Sequence, residues 1–429
     1  TVADADAAAV YVLGCAAALG GARVAAATSD RVVRTFDGAT LRPIVSMRGK
    51  SHGGSGGGGG GSGGHTARIT DLQAASAAAP YLLASCGRDG VAALWDVRTG
   101  GSVLAVKHTG GGGGGGGGGL SAGLHSCSLG CADTLLAVGS AAGVHFYDVR
   151  AASSSAAAAA AAATAPSSAV ASTAMLGQYV DSHHEDVLRV RFHPSCATSL
   201  LTAGADGLAC LFDVSKPNED EALQVVMSAG SDIVNVRAID GADLVYCQTS
   251  VEGVALFDAR TGQSCGAIPN FRERVCAEVG FRADYIVDAK WESSGSGGAG
   301  AGAGAGRIHV LAGNHAGEIA EVALGGDGTM QGVCVMRGGH YRDVRCAEWF
   351  VPTGSAAAAA AAAGGNVGHV LVTGGEDGRL CHWRRRSGGA VGAGFGQSRK
   401  ASGGGKGVPS SGRVSKQASR AKKRHANPY

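Results

Sequence analysis

At 429 residues the chain can hold one large domain or two to three ordinary ones, and no apolar run reaches the roughly 18–20 residues of a membrane-spanning helix. Its 74 glycines and long alanine tracts bury little, so core formation falls to the short Val, Leu, Ile and Phe runs between them. Of the 37 basic residues, 12 lie from Arg384 onward, where no Asp or Glu occurs; the rest of the chain, with 25 basic against 34 acidic residues, carries a net charge of −9.

The first strand-like run is "AAAVYVLGCAAAL" (7–19). Asp4 and Asp6 precede it where a secretory signal would carry basic residues, so it reads poorly as a signal. The chain opens at Thr1 without a methionine, and a missing N-terminal stretch is expected. Twelve cysteines sit mostly singly inside strand-like runs, as free thiols do in a reducing compartment, and an intracellular protein is expected.

One pattern then recurs along the chain: a small-residue turn, often with Asp-Gly, followed by an apolar run that usually ends in an aromatic-Asp pair. It occurs as "ATSDRVVRTFD" (27–37), "GRDGVAALWDVRTG" (87–100), "GSAAGVHFYDVR" (139–150) and "GADGLACLFDVS" (204–215). More worn copies follow as "SVEGVALFDARTG" (250–262), "GNHAGEIAEVAL" (313–324) and "GGEDGRLCHWRRR" (374–386). Asp and Gly supply the backbone angles of a tight hairpin, so each copy reads as two strands. Further strand-like runs lie before most copies, such as "VLRVRFHP" and "DVRCAEWF", and after them, such as "LRPIVSM" and "GSVLAVKH". Four short strands per unit and seven units predict an all-β, seven-bladed β-propeller over residues 8–386.

The low-complexity tracts fall between these runs. Those near 53–64 and 110–119 lie between units; those near 151–174, 292–306 and 353–366 lie between strands of one unit. They are expected to be disordered loop insertions, which cost little because closure entropy grows slowly with length. Residues 387–429 are expected to form a disordered basic tail.

The repeat resembles the WD40 family, in which a blade is braced by a His before its first strand, a Ser or Thr on the second, an Asp in the turn and a Trp on the third. On that resemblance His65, Ser85, Asp89 and Trp95 brace the second unit, and His340, Thr373, Asp377 and Trp383 the seventh. His183, Thr202 and Asp206 brace the fourth, where Phe212 stands at the Trp position. The family commonly closes its ring by lending an N-terminal strand to the last blade. The same is expected here, because the chain turns basic and Gly-rich after Trp383 and the seventh unit reads as lacking its own fourth strand. Stretches 183–226 and 338–384 resemble one WD-repeat branch of the family in particular, which implies a scaffold without enzymatic activity.

No catalytic constellation emerges. "RGKS" (48–51) lacks the glycine of a phosphate-binding loop, since Ile44 stands there, and the GxGxxG matches lie inside glycine runs without a strand-to-helix context. His125, Cys127 and Cys131 lack the second ligand pair of a structural zinc site, so no metal or other cofactor is expected. His184 reads as a solvated neighbour of His183. The run from Leu83 to Arg98 resembles the WDxR box of WD40 substrate receptors that dock on the adaptor of cullin-4 ubiquitin ligases. Arg98, Arg150 and Arg260, each two residues after an Asp, are its candidate contacts, with capping of their own blades as the alternative. In the tail, Lys422, Lys423 and Arg424 suit nuclear import or electrostatic contact with RNA, with a merely solubilising end as the alternative. The expected function is a protein-interaction scaffold in a nuclear or nucleolar assembly, with protein partners and with neither a membrane nor a small-molecule substrate.

Overall fold

The computed structural model describes residues 10–48, 64–108, 123–150, 175–239, 243–293, 306–325, 328–353, 369–385 and 395–401. Its strands form seven four-stranded antiparallel sheets, each built from four strands consecutive in the chain. The first blade is β1 (Val12–Ala18), β2 (Arg23–Thr28), β3 (Val33–Asp37) and β4 (Pro43–Met47). The second is β5 (Ile69–Ala74), β6 (Leu82–Gly87), β7 (Val91–Asp96) and β8 (Gly101–Lys107). The third is β9 (Leu124–Gly130), β10 (Leu135–Ser140), β11 (Gly143–Asp148) and β12 (Met175–Tyr179). The fourth is β13 (Val187–Phe192), β14 (Ser199–Gly204), β15 (Leu208–Asp213) and β16 (Leu223–Ser228). The fifth is β17 (Ile233–Ile239), β18 (Leu244–Thr249), β19 (Val254–Asp258) and β20 (Ser264–Ile268). The sixth is β21 (Tyr285–Ser293), β22 (Gly306–Gly313), β23 (Ile319–Leu324) and β24 (Met330–Met336). The seventh is β25 (Val344–Phe350), β26 (Val370–Gly375), β27 (Leu380–Arg385) and β28 (Phe395–Ala401).

The first strands of successive blades neighbour one another all the way round, with β25 returning to β1, so the sheets close into a ring. Burial follows from this arrangement. Middle strands are covered on both faces by neighbouring blades, and β6, "LLASCG", is buried along its whole length. Fourth strands line the circumference, and β16 alternates exposed positions with half-buried ones and the buried Met227, while β20 is mostly exposed. The core is therefore divided among the seams between blades. Ala25 and Val33 of the first blade pack with Leu83 and Trp95 of the second, and Phe146 of the third with Val190 and Phe212 of the fourth. Val12 and Val24 pack with Val370 and Val372 across the closing seam. Each buried Val, Leu or Phe contributes about 1.5–3 kcal/mol by leaving water.

Strand direction alternates within a blade. Turns joining second to third strands therefore share one face, the upper, with the crossings from blade to blade. Turns joining first to second and third to fourth strands share the lower face.

Ring closure differs from the sequence expectation. Among the described residues the seventh blade is completed by its own fourth strand, β28, and not by an N-terminal one; β28 pairs antiparallel with β27 from Leu380↔Ala401 to Arg385↔Phe395. The compact unit accordingly runs from Ala8 to Ala401, past the expected boundary at 386. Among the described residues, two short helical pieces also depart from the all-strand expectation. Helix α1 (Glu219–Ala222) follows Asn218, whose side chain accepts the Glu221 N–H, and the Glu219 carboxylate accepts the N–H groups of Val180, Asp181 and Ser182. Helix α2 (Phe271–Arg274) runs into a π-helical turn, Val275–Val279, between the fifth and sixth blades.

Candidate functional site

In the second blade, Asp89 heads the turn between β6 and β7, and Gly90 takes a left-handed φ of 70° that a side chain would resist. The turn fixes the Asp89 carboxylate, which accepts the N–H groups of Thr66 (2.6 Å) and Val91 (3.0 Å) and lies 3.3 Å from His65 Nδ1. A carboxylate only accepts, so it holds the proton of the imidazole on Nδ1 and leaves Nε2 as an acceptor. Ser85 Oγ sits 2.7 Å from that Nε2 and accepts the Trp95 indole N–H at 2.8 Å. Burial pushes the Asp89 carboxyl up, but the His65 contact and the backbone N–H groups outweigh it and hold the group at about 2.

The seventh blade repeats the chain. His340 Nε2 is 2.8 Å from Thr373 Oγ1, which accepts the Trp383 N–H at 2.8 Å, and His340 Nδ1 is 3.0 Å from Asp377. In the fourth blade His183 joins Thr202 (2.7 Å) to Asp206 (3.0 Å), and Phe212, fully buried, offers no N–H. A hydroxyl beside an imidazole and a carboxylate has the composition of a nucleophile–base pair. Here, however, Ser85, Thr202 and Thr373 are all 0% exposed, so no substrate atom can reach the oxygen. The arrangement braces blades.

Other blades are braced by contacts the sequence did not disclose. In the third, His108 Nδ1 lies 2.9 Å from the Tyr147 hydroxyl, His145 Nε2 lies 3.0 Å from Ser140 Oγ, and the two imidazoles lie 4.1 Å apart, tilted by 38°. Burial lowers both rings, His145 to about 4 with help from neighbouring His108. In the sixth, His309 lies 2.7 Å from the fully buried Glu321. These contacts do not keep the residue pattern of the bracing sets: His108, directly after β8, meets Tyr147 on β11, and His309 on β22 meets the carboxylate of Glu321 on β23.

The lower face holds the three candidate arginines. Arg98 forks onto Asp96, Nε to Oδ1 at 3.0 Å and Nη2 to Oδ2 at 2.6 Å, and stacks 3.5 Å over the Tyr81 ring, with its side chain still 47% exposed. Arg150 forks in the same way onto Asp148, and Arg260 reaches Asp243 at 2.5 Å, both more exposed than Arg98. Each thus caps the turn of its own blade. His184 is exposed, and Lys422, Lys423 and Arg424 lie outside the described residues.

The first strands of six blades enclose a central cavity of about 100 Å³. Asp71 accepts from Arg191 at 2.7 and 3.1 Å and from Ser126 at 2.7 Å; Asp288 accepts from Arg237 at 2.6 Å and Asn235 at 3.0 Å. Burial disfavours the Asp71 carboxylate, but Arg191 and Arg189 overcome this and hold it well below its usual range. Glu348, also on the wall, accepts, among the described residues, only from the Ala17 N–H at 3.4 Å, and burial pushes its carboxyl up to about 7. His125 and Cys127 lie on β9 and Cys131 in the turn after it; among the described residues no group of three or more His, Cys, Asp or Glu could hold a metal ion.

Comparison with known proteins fits this geometry. Residues 62–96 and 176–213, covering the bracing sets of the second and fourth blades, match the family model "WD domain, G-beta repeat". The chain is 27% identical over 317 residues to "WD repeat-containing protein GTS1" of Arabidopsis thaliana, spanning 72% of this chain and 68% of that one. Over 94 residues it is 33% identical to "WD repeat-containing protein 89 homolog" of Dictyostelium discoideum, 22% of this chain and 26% of that one. Among solved structures, a chain of "Crystal Structure of Mitotic Checkpoint Complex" superposes with a TM-score of 0.56 over 87% of both chains at 12% identity, a likeness of fold.

Proposed function

We propose, on the premise that the chain is a WD40-repeat propeller, that it is a non-enzymatic scaffold that binds protein partners in a nuclear or nucleolar assembly. The observation that carries this reading is the rigid frame itself. Buried His–Ser/Thr–Trp chains lock the blades, and the turns they anchor stand on two open faces. Binding surfaces need such a frame, because a partner then pays no ordering cost for the loops it meets. Affinity purification of the full chain, read by mass spectrometry, is expected to return a reproducible set of proteins that is lost when the fold is broken by Trp383→Ala. A set no different from that of an unrelated propeller would refute the scaffold reading.

Nuclear residence rests on the basic tail. The informative deletion removes residues 402–429, leaving β28 in place. Loss of nuclear enrichment is expected; unchanged localisation together with unchanged ribonuclease-sensitive co-purification would remove this part.

Docking on a cullin-4 adaptor is a second reading, favoured by one observation. Arg98, Arg150 and Arg260 share the lower face, and each is steadied by an aspartate while its side chain stays between 47 and 74% exposed. A positioned, exposed guanidinium suits a carboxylate on a partner. Adaptor binding that survives Arg98→Ala with Arg260→Ala would exclude it.

A further inference from the structure

The upper face of the first two blades carries a run of arginines that the bracing and the lower-face reading do not use. Arg31 lies in the turn between β2 and β3, Arg48 directly after β4, Arg68 directly before β5, and Arg88 in the turn between β6 and β7. All four are exposed, as is Lys107 at the end of β8 on the same face. They are contiguous: Arg31 Nη1 donates to the Thr66 carbonyl at 3.0 Å, two residues from Arg68, and the Arg88 N–H donates to the Arg68 carbonyl at 2.9 Å.

The acids beneath this arc are already engaged. Asp30 takes both Arg34 nitrogens, at 2.7 and 2.6 Å, and stands 4.0 Å from Arg48. Asp89 is buried in the bracing set. Among the described residues no carboxylate lies within ion-pair distance of the Arg68 or Arg88 guanidinium, and the positive field of Arg88 helps burial to lower the His125 ring. Asp186, paired with His125 at 3.2 Å, marks the far edge of the arc. Beyond it the character of the face reverses, with Asp181, Glu185 and Asp232 exposed over the fourth and fifth blades. A body of net charge −9 has acids to spare, so an uncompensated basic arc on it is a local specialisation.

Resting on the scaffold reading, we propose that this arc is the docking site for an acidic linear segment of a partner protein. Four of its five cations are arginines, whose planar fork fits carboxylates in pairs. Single-stranded nucleic acid fits less well, because such sites add aromatic platforms for the bases. The exposed large apolar side chains of the first two blades are Val10 and Ile44, and Val10, at the upper entrance to β1, offers the segment an apolar neighbour instead.

Fluorescence anisotropy of the full chain with labelled poly-Glu, and separately with labelled oligouridine, tests the proposal. Poly-Glu is expected to bind at low salt, to weaken as salt screens the arc, and to lose affinity roughly tenfold or more in Arg68→Glu with Arg88→Glu. Lys216→Glu, in the exposed lower-face turn after β15, is expected to leave that affinity unchanged, and thermal melting of every variant is expected to match the parent chain. No poly-Glu binding, equal losses from Lys216→Glu and the upper-face pair, or tighter binding of oligouridine than of poly-Glu would each overturn the proposal. The scaffold reading is judged separately. If the upper-face pair leaves the set of co-purified proteins intact, the docking site falls and the scaffold stands; if the parent chain captures no specific set, the scaffold falls.

Discussion

Thr373 and Thr202 occupy the same place in their blades but carry different loads. Thr373 serves both His340 and Trp383, whereas Thr202 serves His183 and faces Phe212. Thr373→Ala leaves a buried acceptor and a buried donor unpaired and is expected to cost about 2–4 kcal/mol, against about 1–2 kcal/mol for Thr202→Ala, in urea unfolding. The opposite sign is expected at Glu348. Its folded carboxyl is raised to about 7, so it adds no penalty at low pH, where native and unfolded chains are both protonated. As pH climbs from the ordinary glutamate value of about 4.5 toward 7 the unfolded chain ionises first and stability falls. Glu348→Gln is therefore expected to match the parent near pH 4 and to exceed it near pH 8 by about 2 kcal/mol, measured by urea midpoints at both. At this scale the bracing residues were legible because their offsets are counted from a turn Asp within one blade. Glu348 was not, since its environment comes from strands of several other blades that no local pattern connects.

Two elements carry predictions of their own. The third blade holds paired imidazoles whose folded values lie below 6.5. Their stabilising effect is complete above that value and is lost as pH falls toward the folded value, because the unfolded chain takes the proton the blade refuses. His145→Gln, which can still meet Ser140, is expected to remove up to about 2 kcal/mol of the destabilisation between neutral pH and pH 5, read from thermal or urea unfolding. The second element is β28. A chain ending at Ala401 is expected to melt with the full chain, whereas one ending at Arg385 loses the outer strand of its last blade and is expected to melt roughly 5 °C lower or more. β28, "FGQSRKA", was hidden in the sequence because it lacks the apolar alternation that marks a strand and sits in a basic, glycine-rich setting. Helix α1 does leave a trace in the sequence: Asn218 stands three residues before Glu221, the spacing of a helix-capping pair.

For the whole molecule, the seven-unit count and the position of every tract relative to the strands were legible, because each blade repeats one hairpin signal while the tracts fall outside it. The basic arc was not, since Arg31, Arg48, Arg68 and Arg88 come from four separate segments that only the ring brings together. The placement of the tracts has a testable consequence. Halving the stretch 110–119, which lies between β8 and β9, is expected to change unfolding free energy by less than about 1 kcal/mol, because closure entropy varies only with the logarithm of length. Contiguity of each blade has another consequence, for the order in which the protein is made. A ring latched by a borrowed N-terminal strand must hold that strand unpaired until the last blade leaves the ribosome. Here β1 is paired with β2 as soon as both have emerged, and every later sheet is completed by the next segment synthesised. The nascent chain can therefore fold vectorially, one blade against the previous one, with no exposed strand edge waiting for the C-terminus.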